Sequence, residues 1–252
     1  MSDDVVQRFH RARRDPGLAV LEGFHALKHG LRFGAEILEV VACDPAELER
    51  LARDLAPDLA GRFGASVRTT NAQTFGELAP QAPRTGVMAI ARRRAVDLAR
   101  VLSDPAPTPV VLLENPRNLT NLGACVRVAA AADVCAVLTT GGNDPWHPDA
   151  VRGAAGLHYA LPVASVPGPP ETDRPLIAID PGGDALRPAE LPARAMLAFG
   201  TERDGLSDEL LARADGRIGI PMRAGVSSLN LATSVAAVLY AWRLAAAEPA
   251  SG

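Results

Sequence analysis

Two periods of apolar residues run along this chain. Val110-Val111-Leu112-Leu113 is continuously apolar over the length of a strand, the pattern of a strand buried on both faces of a parallel sheet. Val134–Leu138, Leu161–Val166, Leu176–Ile179 and Ala195–Phe199 repeat it, with helical stretches between them at Asn121–Ala132, Pro148–Ala155 and Glu209–Arg213. Arg217–Ile220 alternates polar and apolar residues as a short strand does, and Pro221, which cannot donate to a ladder, should end it. Ser227 and Ser228 are good N-cap residues, with Asn230 in the turn that follows. Leu231, Val235, Val238, Leu239 and Trp242 then recur at helical spacing. Strands alternating with helices predict an α/β fold with a parallel sheet.

The first hundred residues show a smaller alternation. Residues 5–14 carry Arg8, His10, Arg11, Arg13 and Arg14 and read as a solvated helix or arm, with a phosphate-contacting arm as the sharper alternative. Leu18–Phe33 reads as a helix and Ile37–Ala42 as a buried strand. Asp44 before Pro45 is an N-cap with proline at the first helical position, opening a helix to about Leu59. A strand at Ser66–Thr70, a helix at Asn71–Leu78 and a strand at Gly86–Ala91 complete a small α/β domain, and Arg92-Arg93-Arg94 reads as a solvated face. Asp104-Pro105-Ala106-Pro107-Thr108-Pro109 is the clearest linker. The expected organisation is a small α/β domain at 1–96, a Pro-rich linker at 97–109, a larger α/β domain at 110–246 and a disordered tail at 247–252.

Charge narrows the partners. A net charge of −3 and an isoelectric point near 6.0 argue against a broad electrostatic grip on nucleic acid. The balance is uneven: residues 1–100 hold 15 basic against 13 acidic residues, and residues 101–252 hold 11 against 16. If RNA is the partner, the first half is the grip. Cys43, Cys125 and Cys135 have no Cys-x-x-Cys spacing, which suits a reducing cytosol with neither a disulfide framework nor a zinc site. No secretory signal is visible at the N-terminus, and no run is apolar and long enough to span a bilayer.

Candidate chemistry lies in polar loops at strand ends, where ligands of α/β sheets gather. The first is Glu114–Arg127, a polar loop leading into a helix. Arg127 sits there in apolar company, either snorkelling or paired with an anion. The second is Phe199-Gly200-Thr201-Glu202-Arg203-Asp204-Gly205-Leu206-Ser207, whose glycines permit close backbone approach to a ligand, although an ordinary turn with Ser207 capping the next helix reads the same way. The third runs from Ile220 to Asn230. His25, His29 and His147 read as surface, packing or turn residues. No dinucleotide-binding glycine fingerprint, Walker loop or nucleophile elbow is present.

Taken together, Asn121-x-Gly123-x-x-x-Arg127 preceded by Glu114-Asn115, Phe199-Gly200-x-Glu202-x-x-Gly205-Leu206-Ser207, and Ile220-Pro221-Met222 followed by Ser228-Leu229-Asn230 resemble the SpoU/TrmH family of SPOUT RNA methyltransferases. Leu21-Glu22-Gly23 and Thr85-Gly86-Val87-Met88-Ala89 resemble the ribosomal-protein-like substrate-binding domain often fused ahead of the catalytic one. The resemblance implies a parallel sheet whose C-terminal part forms a trefoil knot, a homodimer with active sites near the subunit interface, and methyl transfer from S-adenosylmethionine to a ribose 2′-hydroxyl without a metal. It implies cofactor contacts at Gly200, Thr201, Glu202, Gly205, Ile220, Met222, Ser228 and Leu229. It makes Arg127 the main catalytic residue, with Asn121, Glu202, Ser228 and Asn230 supporting. Ala154 stands where family members often have serine in Arg-x-Ser-x-Gly, and Arg223-Ala224-Gly225 shifts the usual glycine. Ribosomal RNA is the expected substrate, in the cytoplasm. Transfer RNA is the substrate alternative, and a non-catalytic RNA-binding assembly factor the functional one.

Overall fold

In order along the chain, the first elements are α1 (Ser2–Ala12), β1 (Leu18–Glu22), α2 (Phe24–Arg32), β2 (Ile37–Ala42), α3 (Pro45–Leu55), β3 (Val67–Thr69), α4 (Ala72–Gly76) and β4 (Val87–Arg92). There follow α5 (Leu98–Ser103), β5 (Val110–Leu113), α6 (Leu119–Ala132), β6 (Ala136–Thr139), α7 (Pro148–Gly153), β7 (Val163–Ser165), β8 (Leu176–Ala185), β9 (Met196–Phe199), α8 (Asp208–Arg213), β10 (Gly216–Gly219) and α9 (Leu231–Ala247). The structure, a computed structural model, describes residues 2–59, 61–63, 67–201 and 204–247. Residues 248–252 of the expected tail lie outside the described residues. The chain divides into two units: residues 1–95 with 146–160, and residues 96–145 with 161–252.

In the first unit the strand order is β1-β4-β2-β3, with β4 antiparallel to both β1 and β2, and β3 parallel to β2. The stretch Leu18–Phe33, expected as one helix, is a strand and a helix. Residues 18–22 pair with β4 from Leu18↔Arg92 to Glu22↔Met88, and Gly23 turns the chain at φ 88° before α2 begins. Short apolar runs fit either period, and here the tertiary pairing decides. Residues 5–12 are not a loose arm: α1 buries Val5, Phe9 and Ala12 against Val20, Val41, Phe75 and Met88. Of the three arginines, Arg92 is the last residue of β4, and the two that follow are tied down as well. Arg93 donates to the Leu18 carbonyl at 2.6 Å and Arg94 to the Phe33 carbonyl at 3.0 Å.

Residues 146–160 lie inside the span expected for the second domain, yet their contacts are with the first unit. Arg152 donates to the buried Glu22 carboxylate at 2.8 Å, and Arg13 donates to the same group. The Tyr159 hydroxyl donates to the Arg92 carbonyl at 2.8 Å. Gly156 rests on the main chain of Ala26, where an added Cβ would come within 2.4 Å of the carbonyl oxygen. His29 Nδ1 lies 2.7 Å from the Ala155 carbonyl, which can only accept, so Nδ1 is the donor, and burial pushes the ring below the usual imidazole range. Ala154, in place of the usual serine, is fully buried.

In the second unit six strands run in the order β10-β8-β9-β5-β6-β7, and every neighbouring pair is parallel. Val110, Leu112, Ala136, Leu138, Met196 and Ala198 form its core with Leu206 and Leu210. The stretch expected as a linker is partly helical: Asp97 caps α5 by accepting the Arg100 N–H, and Val101 and Leu102 enter that core. The carbonyls at the end of α5 lack helical partners, and a buried arginine takes them. Arg174 donates to the carbonyls of Leu102 at 3.0 Å, Val101 at 3.2 Å, Asp104 at 3.0 Å and Thr108 at 2.9 Å. Arg194 still reaches the carbonyls of Asp104 at 2.8 Å and Leu102 at 3.1 Å, so removing Arg174 strips the Thr108 carbonyl of its donor and leaves that of Val101 only a weak thiol contact. Arg174→Ala should cost roughly 3 kcal/mol in urea unfolding, and Arg174→Lys, which lacks the fork of donors, should recover less than half. A loss below about 0.5 kcal/mol, the scatter of ordinary surface changes, would contradict this capping.

Candidate active site

At the carboxyl end of the second sheet the β8–β10 ladder breaks. Arg217 pairs with Ala178, but the next residue, Ile218, pairs with Asp184, so residues 179–183 leave the ladder between them. The return is tight: a Cβ on Gly183 would lie 2.5 Å from the Arg217 carbonyl carbon. The excursion opens a cavity of about 300 Å³ walled by Ile179, Asp180 and Pro181. Its other walls are Phe199 at the end of β9 with Gly200, Thr201, Asp204 and Gly205 after it, Ile220 and Met222 after β10, Ser227–Leu229 before α9, and Leu231 and Ser234 in the first turn of that helix. The volume is at the lower end of the range for small-molecule sites, about 300–1,000 Å³. Hydroxyls and two carboxylates, Asp180 and Asp204, share the lining with apolar side chains, which fits a ligand with an apolar ring and a polar tail.

The 200–207 turn is built by close approach. Gly200 sits against Gly205, where an added Cβ would lie 2.0 Å from the Gly205 carbonyl carbon, so no side chain fits. Thr201 and Gly205 exchange main-chain hydrogen bonds at 3.0 and 3.1 Å, and Gly205 takes φ 68°. Thr201 Oγ1 also accepts the Asp204 N–H at 3.0 Å. Ser207 caps α8, as expected, by accepting the Leu210 N–H at 3.2 Å. Thr201, Asp204 and Gly205 also line a second, more open cleft of about 380 Å³, together with Glu114, Asn115, Thr140, Gly141 and Pro167.

Of the residues expected at a cofactor, Gly200, Thr201, Gly205, Ile220, Met222, Ser228 and Leu229 line the one cavity, and Glu202 lies outside the described residues. Asn230 is outside the cavity wall. It, rather than Ser227 or Ser228, caps α9: its Oδ1 accepts the N–H groups of Ala232 at 2.9 Å and Thr233 at 3.4 Å. Asn121 does not begin α6. Asn118 is the N-cap, accepting the Asn121 N–H at 3.0 Å, and Asn121 falls within the first turn. Arg127, on the same helix, is exposed rather than enclosed by apolar neighbours and has no ion-pair partner among the described residues. Neither Asn121 nor Arg127 lines the cavity. The sequence reading missed Ile179–Pro181, although Asp180-Pro181-Gly182-Gly183 directly after a strand is a dense turn signal. Among the described residues no group of three or more His, Cys, Asp or Glu side chains could hold a metal ion, and no helix is long and apolar enough to cross a membrane.

With this geometry established, comparison with known proteins identifies the class. Residues 108–240 match the SpoU rRNA Methylase family. A Mycobacterium bovis protein named as an uncharacterised tRNA/rRNA methyltransferase is 33% identical over 206 residues, covering 76% of this chain and 70% of that protein. The chain belongs to the SpoU rRNA methylase family. The 23S rRNA (guanosine-2′-O-)-methyltransferase RlmB of Bordetella pertussis is 28% identical over 233 residues, covering 88% of this chain and 95% of that protein. The SpoU methyltransferase AviRb of Streptomyces viridochromogenes, crystallised with the cofactor AdoMet, superposes with a TM-score of 0.76 at 22% identity, covering 94% of this chain and 97% of that one, a likeness of fold.

The close approach at Gly200 is testable. Gly200→Ala should lower the thermal midpoint by at least about 4 °C, the shift expected for about 2 kcal/mol at this chain length. Gly142→Ala, with nothing within 4 Å of the added carbon, is the control. Equal midpoints for the two variants would contradict the packing of Gly200 on Gly205.

Proposed function

We propose that this protein transfers a methyl group from S-adenosylmethionine to a ribose 2′-hydroxyl of RNA, with ribosomal RNA the first substrate. The observation that carries this reading is the convergence of Gly200, Thr201, Gly205, Ile220, Met222, Ser228 and Leu229 on one cavity at the carboxyl ends of β8, β9 and β10. The mixed lining suits an adenosine joined to an amino-acid tail, and the RlmB relative supports ribosomal RNA. The M. bovis relative keeps transfer RNA as the alternative substrate.

S-adenosylmethionine supplies a sulfonium-activated methyl group, so the chain's own residues need only hold, align and partly deprotonate the acceptor. Thr201, Asp204 and Ser228 are placed to bind the polar part, and Phe199, Ile220 and Leu229 the ring. Asn230 has its oxygen committed to capping α9, which fixes its amide and leaves the NH₂ group as the donor toward a ribose. A guanidinium is a poor base. Arg127 therefore acts by binding the phosphate beside the target ribose and stabilising the oxyanion as it develops, with that phosphate aiding proton removal. Its exposure and lack of an ion-pair partner among the described residues leave the charge available for RNA. Asn121 orients the ribose and Arg127, and Glu202 fixes the 200–207 turn. RNA is gripped by the first unit, whose sequence is the more basic. The working form is a homodimer: α9 leaves Tyr240 43% and Leu244 65% exposed, apolar surface that a second copy would cover. The C-terminal segment is threaded as a knot, and the enzyme works in the cytoplasm.

Incubation with methyl-labelled S-adenosylmethionine and separate ribosomal and transfer RNA fractions, followed by nucleoside analysis, should place the label in 2′-O-methylnucleosides of ribosomal RNA; label on a base would overturn the reading. Arg127→Ala should lower kcat/KM for RNA by at least about 100-fold with cofactor affinity nearly intact, and loss of cofactor binding instead would remove the role given to Arg127.

A further inference from the structure

Glu114, the residue after β5, touches the 200–207 turn at both ends. Its main-chain N–H donates to the Phe199 carbonyl at 2.9 Å, immediately before Gly200. Its carboxylate accepts the Ser207 N–H at 2.7 Å and the Ser207 hydroxyl at 2.6 Å. The Ser207 hydroxyl oxygen in turn accepts the Leu210 N–H, so one carboxylate also orients the cap of α8. Thr201, Asp204 and Gly205 line both the 300 Å³ cavity and the 380 Å³ cleft. These residues lie between Phe199 and Ser207, the two positions that Glu114 binds. A second link, the ion pair between Arg117 and Asp204 at 3.0 Å, has both side chains more than half exposed and contributes little. The Glu114 bonds are charge-assisted, two acceptor oxygens meeting two donors, and are the stronger clamp.

We propose that Glu114 is a positioning residue for the methyl-donor site: it fixes both ends of the turn whose Gly200, Thr201, Asp204 and Gly205 wall the cavity. The proposal rests on reading that cavity as the S-adenosylmethionine site. Its requirements are geometric. Glutamine keeps an oxygen for the Ser207 N–H and offers an N–H to the Ser207 oxygen, so it should serve in part. Aspartate, one methylene shorter, should not reach.

The test is titration calorimetry of S-adenosylmethionine into the full-length protein, with steady-state kinetics alongside. Glu114→Ala should raise the dissociation constant about tenfold, the effect of losing one such anchored pair of hydrogen bonds. Glu114→Gln should stay within about threefold of wild type and Glu114→Asp should resemble Ala. At saturating cofactor, kcat and the KM for RNA should move by less than about threefold. A merely structural role would instead lower the active fraction, reducing kcat while leaving the cofactor dissociation constant alone. Folded Glu114→Ala that binds the cofactor like wild type overturns the assignment while leaving the cavity reading intact. Absence of binding by the wild-type protein overturns the cavity reading and this assignment with it. Should Glu114→Ala fail to fold, Glu114→Asp and Glu114→Gln carry the test: weakened binding in Asp with near wild-type binding in Gln supports the clamp, and wild-type affinity in folded Asp overturns it.

Discussion

Gly200 and Gly205 lie in main-chain contact, and Gly183 passes close to the main chain of Arg217. These two approaches set the shape of everything at the carboxyl end of the second sheet. The first folds the chain after β9 back on itself, so that Thr201 and Gly205 can pair. The second lets β8 leave its ladder with β10 for residues 179–183 and rejoin it. Between them a cavity forms whose walls come from segments distant in sequence. A side chain at Gly200 or Gly183 would push these segments apart, which is why a residue with no Cβ is required at both.

Much of this was legible in the chain. Continuous apolar runs mark buried parallel strands, and β5, β6, β8 and β9 lie where Val110–Leu113, Val134–Leu138, Leu176–Ile179 and Ala195–Phe199 predicted them. The polar loops after β9 and β10 were visible as glycine- and serine-rich interruptions, and the resemblance to the SpoU/TrmH motifs put names to their residues. What the chain hid was pairing. Leu18–Glu22 fits helix and strand equally well, and only β4 makes it a strand. Pro181 argues against a strand continuing past Ile179, yet β8 resumes after the excursion because Ile218 and Gly219 of β10 offer partners to Asp184 and Ala185. Ser227 and Ser228 are the better cap types in isolation, and Asn230 caps because α9 starts three residues later than Ser228.

Residues 146–160 show a second limit of local patterns. They follow β6 and precede β7 in the second unit's sheet, and still pack as part of the first unit through Glu22–Arg152, Tyr159–Arg92 and Gly156 on Ala26. The Arg152–Gly156 stretch, which the family resemblance places in the methyltransferase domain, thus supplies contacts to the sheet that the other resemblance assigns to substrate binding. Its buried Ala154 shows that in this chain the position is filled by packing rather than by a hydroxyl.

The central claim is that the cavity between the 200–205 turn and the 220–229 loop holds the methyl donor. Ultraviolet cross-linking of radiolabelled S-adenosylmethionine to the intact protein, with the labelled peptides mapped by mass spectrometry, tests it most directly. The account predicts label on peptides spanning residues 196–205 and 217–234, lost on competition with unlabelled cofactor. Competable label confined to residues 1–95 would contradict it.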